Sequence, residues 1–136
     1  MKHFAILTAL LISMGCTAGE LKLELHGTGM TGIPLMIRIY DADISFPKGK
    51  YIREINLLAG SDHTATTVSD LPTGKYAIAV FADINQNGKL DRSFIGKPSE
   101  PYGFSNDARH LFGPPDFNEA SFELKDAAVL QSILLR

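Results

Sequence analysis

Residues 70–82 read Asp-Leu-Pro-Thr-Gly-Lys-Tyr-Ala-Ile-Ala-Val-Phe-Ala, and this stretch decides the fold class. Pro72 and Gly74 mark a turn at Leu71-Pro72-Thr73-Gly74, because proline presets φ and glycine frees it. Residues 75–82 are then apolar at both odd and even positions. A strand-length run of that kind predicts a central strand covered on both faces. On its N-terminal side, residues 64–70 (TATTVSD) are rich in β-branched side chains and predict another strand. Further back, Ile52, Ile55 and Leu57 suggest a strand near 51–58. Residues 42–50, with Pro47 and Gly49, read as a loop. Leu35, Ile37 and Ile39 alternate with Met36, Arg38 and Tyr40, and Leu21, Leu23 and Leu25 alternate with Lys22, Glu24 and His26. That period of two belongs to strands with one buried face. On the C-terminal side, Ala120, Phe122 and Leu124 alternate, and residues 128–135 (AVLQSILL) predict the last strand. Alternation there is weak, so a helix is the alternative at that end. The pattern predicts an all-β domain, an antiparallel β-sandwich of immunoglobulin-like or transthyretin-like type with about seven strands. A small closed barrel is the alternative.

Charge and cysteine usage narrow the function classes. Net charge is −2 and the pI about 6.0. A nucleic-acid binder needs a basic surface to displace counterions, so that class is disfavoured. Cys16 is the only cysteine, which excludes an internal disulfide and a four-cysteine zinc site. Residues 1–18 read MKHFAILTALLISMGCTA. Lys2 followed by an apolar stretch from Phe4 to Met14 fits a secretory signal peptide; the stretch is shorter than the roughly 20 residues of a membrane-spanning helix. Cleavage after Ala18 places the small residues Cys16 and Ala18 at the −3 and −1 sites and leaves a single domain over 19–136. Ser13-Met14-Gly15-Cys16 also resembles a lipobox, which makes a lipid anchor on Cys16 the alternative. No later segment is long and apolar enough to cross a membrane. The expected location is therefore periplasmic or extracellular, or the membrane surface as a lipoprotein, with a cell-envelope or extracellular ligand as partner.

Residues 83–118 interrupt the strand pattern. They contain Phe94, Ile95, Tyr102, Phe104, Leu111, Phe112 and Phe117, too many large apolar groups for a disordered linker. Gly96, Gly103 and Gly113, with four prolines, predict fixed turns within one long ordered loop. The segment opens Asp83-Ile84-Asn85-Gln86-Asn87-Gly88-Lys89-Leu90-Asp91, the first part of a calcium loop. Alternate oxygen-bearing side chains converge on a hard cation, Gly88 permits the sharp turn, and the Lys89 carbonyl is a further ligand. Leu90 is placed to pin the loop to the core. Phe94 stands where an EF-hand has its bidentate Glu, so the last carboxylate must come from Glu100, Asp107 or Asp116. The candidate set is Asp83, Asn85, Asn87, Lys89, Asp91 and Glu100, of low affinity suited to extracellular calcium. A plain turn at Asn87-Gly88 is the alternative. Tyr102, Phe104, Asn106, Arg109 and Phe112 are candidates for a ligand surface. Arg109 is equally suited to stack on a ring or clamp Asp107 or Asp116. A non-enzymatic binding or accessory module is the leading expectation; a small hydrolase is its rival and needs Glu100 and Asp116 to face one cleft. Ser105, Asp107 and His110 do not have the spacing of a recognisable triad motif. His26, His63 and His110 are scattered, without zinc spacing, and are expected on the surface or in loops.

Four blocks then carry a resemblance: residues 70–77, residues 83–91, Tyr102-Gly103-Phe104-Ser105-Asn106 and Phe112-Gly113-Pro114-Pro115-Asp116-Phe117. In this order they resemble the bacterial secreted family known as domain of unknown function 2141, over nearly all of 20–136. The resemblance implies a secreted β-sandwich and does not assign an activity, with the acidic loop and the Tyr102 to Phe117 region as features of unknown role.

Overall fold

The computed structural model describes residues 18–136; residues 1–17, with Cys16 and nearly all of the expected signal peptide, lie outside the described residues. Among the described residues eight strands form: β1 (Ala18–His26), β2 (Pro34–Tyr40), β3 (Arg53–Leu58), β4 (His63–Pro72), β5 (Gly74–Ala82), β6 (Tyr102–Phe104), β7 (Phe122–Leu124) and β8 (Val129–Leu134). They make a three-stranded sheet, β4-β1-β8, and a five-stranded sheet, β3-β2-β5-β6, with β7 paired to β5. The alternating residues explain the layers. Leu21, Leu23 and Leu25 of the first sheet and Leu35, Ile37, Ile39, Ile78 and Val80 of the second meet in one buried core. Each such side chain contributes about 1.5–3 kcal/mol by leaving water. The predicted all-β sandwich is therefore the observed architecture.

Two details differ from the antiparallel seven-strand expectation. β1 and β8 pair in parallel, from Leu21 opposite Val129 to His26 opposite Leu134. Alternation tells which face a residue takes but not which neighbour the strand finds. β8 itself is extended, not helical, with Gln131 and Ile133 buried and Leu130 and Ser132 exposed in alternation. The additional strand is β6, inside the segment expected to be loop. Its three residues are too short to show a period. Gly103 sits there because a Cβ would lie 2.6 Å from the Leu134 carbonyl oxygen, so it serves close approach rather than a turn. Gly96 and Gly113 do occupy the left-handed region predicted for turn glycines.

β5 is buried on both faces, as its composition requires. Its outer face is covered by a second apolar cluster of Tyr40, Ala77, Phe104, Phe117 and Ala120, with Phe46 and Tyr51 packed against it. Phe46 meets Phe104 and Phe117 edge-on at 5.8 and 6.0 Å, the arrangement that ring quadrupoles favour. Phe117 and Ala120 come from a one-turn helix, α1 (Phe117–Ala120). Polar contacts fasten this layer to the sheet. Ser105 Oγ, fully buried, accepts from the Ile78 N–H at 2.9 Å and donates to the Ala120 carbonyl. Asn106 and Gln131 exchange two hydrogen bonds, at 2.9 and 3.1 Å. The Asp107 carboxylate accepts from the Leu134 N–H at 2.9 Å.

Candidate functional site: an acidic loop beside a cationic cleft

Asp83 follows the last residue of β5 and is 3% exposed. Its N–H donates to the Pro34 carbonyl at 2.8 Å, which extends the sheet by one step. Its two carboxylate oxygens accept from the N–H groups of Asn87 at 3.2 Å and Gly88 at 2.8 Å. The chain reverses through Gln86 and Gly88, both at positive φ (58° and 74°). This is why glycine is needed at position 88. The Asn87 amide donates to Asp91 Oδ1 at 2.8 Å, and the Asn85 amide donates to Asp91 Oδ2. Glu100, 6% exposed, reaches across the base of the loop. Its Oε1 accepts from the Ile84 N–H at 2.9 Å and its Oε2 from the Asp91 N–H at 3.0 Å.

The structure thus joins Asp83, Asn85, Asn87, Asp91 and Glu100 in one hydrogen-bonded loop. The spacing picked out the first four, and Glu100 arrives through the fold. Lys89 contributes its N–H to Asn87 Oδ1 at 2.9 Å, while its side chain and that of Leu90 line a neighbouring cleft. As a cation site the loop has oxygen donors and a glycine reversal, the chemistry that suits a hard ion. Its oxygens are engaged by N–H donors of the loop itself.

The cleft lies on the outer face of the five-stranded sheet and encloses about 800 Å³. Its basic lining is Arg38, Lys48, Lys89, Arg92, Lys97 and His110, and no carboxylate lines it. Tyr40, Phe81, Tyr102 and Phe104 add aromatic surface. Arg38 pairs with Glu54 at 2.8 Å, lies over the rings of Tyr51 and Phe81 at 5.0 and 5.3 Å, and donates to the Gly88 carbonyl at 3.3 Å. It therefore ties the acidic loop to the wall of the cleft. Burial raises the Tyr40 phenol above its usual range, and its hydroxyl donates to the Pro47 carbonyl at 2.8 Å. Lys48, Lys89, Arg92 and Lys97 make no ion pair among the described residues. Of the lining residues, Ile95, Leu111 and Phe112 are strongly exposed.

The segment sorts its charges. Asp83, Asp91, Glu100 and Asp107 turn toward N–H groups of the protein, while Lys89, Arg92 and Lys97 turn to the cleft. Sequence reading singled out Asp83 and Asp91 by their spacing, kept Glu100 and Asp107 as remaining carboxylates, named Lys89 only for its carbonyl and passed over the cationic side chains. Arg92 also holds its own turn, donating to the Gly96 carbonyl at 3.1 Å.

Of the predicted ligand residues, Tyr102, Phe104 and Phe112 line the cleft. Asn106 and Arg109 do not. Arg109 lies over the Tyr102 ring at 5.3 Å and donates to the carbonyls of Tyr102 and Leu134 at 3.0 and 2.9 Å. The stacking expectation is met; the clamped groups are carbonyls rather than Asp107 or Asp116. Glu100 and Asp116 share no cleft: Glu100 is buried in the loop base, and Asp116 is the exposed N-cap residue of α1, where its N–H donates to Glu119 at 2.9 Å.

His110 pairs with Glu119 at 2.5 Å. The hydrogen bond to Glu119 raises the imidazole above its usual value, and the same bond lowers Glu119. Stability from the raised histidine is present below its unfolded pKa and is lost as pH rises through its folded pKa. The contribution from the lowered Glu119 is present above its unfolded pKa and is lost as pH falls through its folded pKa. The pair is therefore strongest between the ordinary carboxylate and imidazole values. We expect NMR titration of His110 to give a pKa above that of a free imidazole, and Glu119→Gln to bring it back down.

Taken together, a two-sheet sandwich, a strand-end acidic loop and a covering aromatic segment define the chain. No curated protein and no solved structure matches it. Residues 27–131 match the family model described as an uncharacterized protein conserved in bacteria (DUF2141). That span takes in β2 to β7, the acidic loop and the cleft, and the chain belongs to this bacterial family.

Proposed function

We propose that the chain is an exported, non-enzymatic binding module that takes an anionic ligand of the cell envelope or extracellular space. The observation that carries this reading is the cleft of about 800 Å³ lined by cations and aromatic rings without a carboxylate, in a chain whose net charge is negative. A random share of this surface would include acids, since Asp and Glu outnumber Lys and Arg by 15 to 13. Cations in a concave, partly apolar setting attract anions more strongly than on an open surface, and the rings supply contact area to a sugar or other flat group. In this reading calcium binds the Asp83 to Asp91 loop with Glu100. Its role is to brace the wall that carries Lys89, Arg92 and Lys97, by neutralising the carboxylates of the loop. Export by the N-terminal leader, with Cys16 discarded or lipidated, places the module where millimolar calcium occurs.

The test is an NMR titration of the full chain with a uronate oligosaccharide, inorganic phosphate and a neutral oligosaccharide of equal length. The anionic probes are expected to shift resonances of residues 89–97 and 110–114, and the neutral one is not. The double variant Arg92→Glu, Lys97→Glu is expected to weaken binding by at least about tenfold, since a hydrogen bond to a charged group contributes about 1.5–3 kcal/mol. Equal response to the neutral sugar, or shifts confined to another face, overturns the anionic reading. Titrating with both uronate and phosphate separates a carboxylated polymer from a phosphorylated one.

A further inference from the structure

On the three-stranded sheet, outside the residues that line the cleft, the register sets His26 of β1 directly opposite His63 of β4. The sequence positions are widely separated, and only the antiparallel ladder unites them. Their rings stack at 4.4 Å with an interplanar angle of 4°. Glu24 precedes His26 by two residues, so it lies on the same face of β1, with Oε2 3.9 Å from His26 Nε2. One ligand atom from each of Glu24, His26 and His63 falls within 4.8 Å of the other two. Among the described residues no other trio of histidine or carboxylate side chains is so placed. The three histidines expected to be unrelated thus include a facing pair.

The geometry points to a binding site for a divalent transition-metal ion, of the zinc or copper class, at Glu24, His26 and His63. Two imidazole nitrogens and one carboxylate are a donor set for those ions, while calcium and magnesium prefer oxygen throughout. The scaffold is firm where precision is needed. β1 is paired on both sides, by β4 and β8. The start of β4 is fixed by the Gly27 N–H on the Asp62 carbonyl at 3.0 Å, and by the Met30 N–H on the Asp62 carboxylate, also at 3.0 Å. Ser61 Oγ accepts from the His63 N–H at 3.1 Å, which fixes that backbone further. The side chains themselves are half-exposed or exposed, so the two rings are free to turn out of their stack and aim donors that already lie within 4.8 Å of one another at a common ion without disturbing the core. Three protein ligands leave one tetrahedral position for water or for a group of a bound molecule.

The experiment is calorimetric titration of the metal-stripped full chain with zinc, and electron paramagnetic resonance after one equivalent of copper(II). One zinc ion per chain is expected, with a copper spectrum showing coupling to two imidazole nitrogens. His63→Gln and His26→Gln are each expected to weaken zinc binding at least about tenfold, because loss of even an outer-shell partner costs about 10–100-fold. Both variants lie on the exposed face and circular dichroism checks that the fold is kept. Millimolar calcium is expected to leave zinc binding unchanged. No zinc binding by the wild type, or binding that persists unchanged in both histidine variants and so resides elsewhere, for example at His110, overturns the assignment.

Discussion

Replacing Phe117 with alanine is expected to lower the stability of the whole domain by about 3–5 kcal/mol, the usual cost of emptying a buried phenylalanine site. Phe117 is 6% exposed and packs with Tyr40, Phe104 and Ala120 on the outer face of β5. The ring does not rest on a loop that can close over the gap. One side is the central strand, and Phe46 stands against it at 6.0 Å. For a domain of this size the loss corresponds to a drop in melting temperature of roughly 10–20 °C. Urea unfolding followed by circular dichroism checks it. The expected outcome is one transition, shifted as a whole, because the covering segment and the sandwich share this layer. A separate early transition, with the main one unmoved, would instead make residues 101–121 an independent lid. Phe112 is the control. It is 87% exposed at the rim of the cleft, so Phe112→Ala is expected to change stability by no more than about 0.5 kcal/mol.

Glu100→Ala carries the second large effect. The carboxylate bridges the N–H groups of Ile84 and Asp91 from a position 6% exposed. Its removal leaves the Asp91 N–H without an acceptor and the Ile84 N–H with only the Ala82 carbonyl at 3.1 Å. An overall loss of about 1–3 kcal/mol is expected, the cost of one unpaired buried donor. The calcium proposal adds a distinct signature. The wild type is expected to melt at higher temperature in several millimolar calcium, by the mass-action gain of any ligand that binds only the folded state. Glu100→Gln keeps an acceptor oxygen and is expected to recover part of the stability while losing the calcium response. Heat evolved on calorimetric titration of the wild type with calcium is the direct check. A silent titration with an unmoved melting point would take the ion out of the account and leave Glu100 as a purely structural clasp.

Sequence periodicity reached as far as the local physics extends. Residues 75–82 lack any polar face, and the only place for such a strand is between two apolar layers, which is where β5 lies. The spacing of Asp83, Asn85, Asn87 and Asp91 carried their convergence, because a loop of that length folds mostly on itself. Glu100 was within reach as one of three remaining acids, but the choice among Glu100, Asp107 and Asp116 needed the path of the chain after Gly96. The parallel partnership of β1 with β8 was beyond periodicity, since Leu21, Leu23 and Leu25 would alternate identically beside any neighbour. β6 was beyond it too: Tyr102-Gly103-Phe104 is shorter than two periods. The cleft shows the general reason. Its cations come from β2, from the loop after Pro47 and from two stretches of the long segment, so no window of sequence contains the pattern.

The parallel pairing of β1 with β8 has a consequence for the order of events during synthesis. β1 is the first described strand to be made, and its partner on one side spans Val129–Leu134, at the end of the chain. The central strand of the smaller sheet therefore keeps one edge without its ladder until residues 129–134 have been made. Contacts between such distant positions slow folding, because the whole intervening loop must close before they form. A chain shortened by its last eight residues loses one ladder of β1, the Gly103 seat and the Asn106–Gln131 clasp together, and its newly bared strand edge is a template for pairing with another molecule.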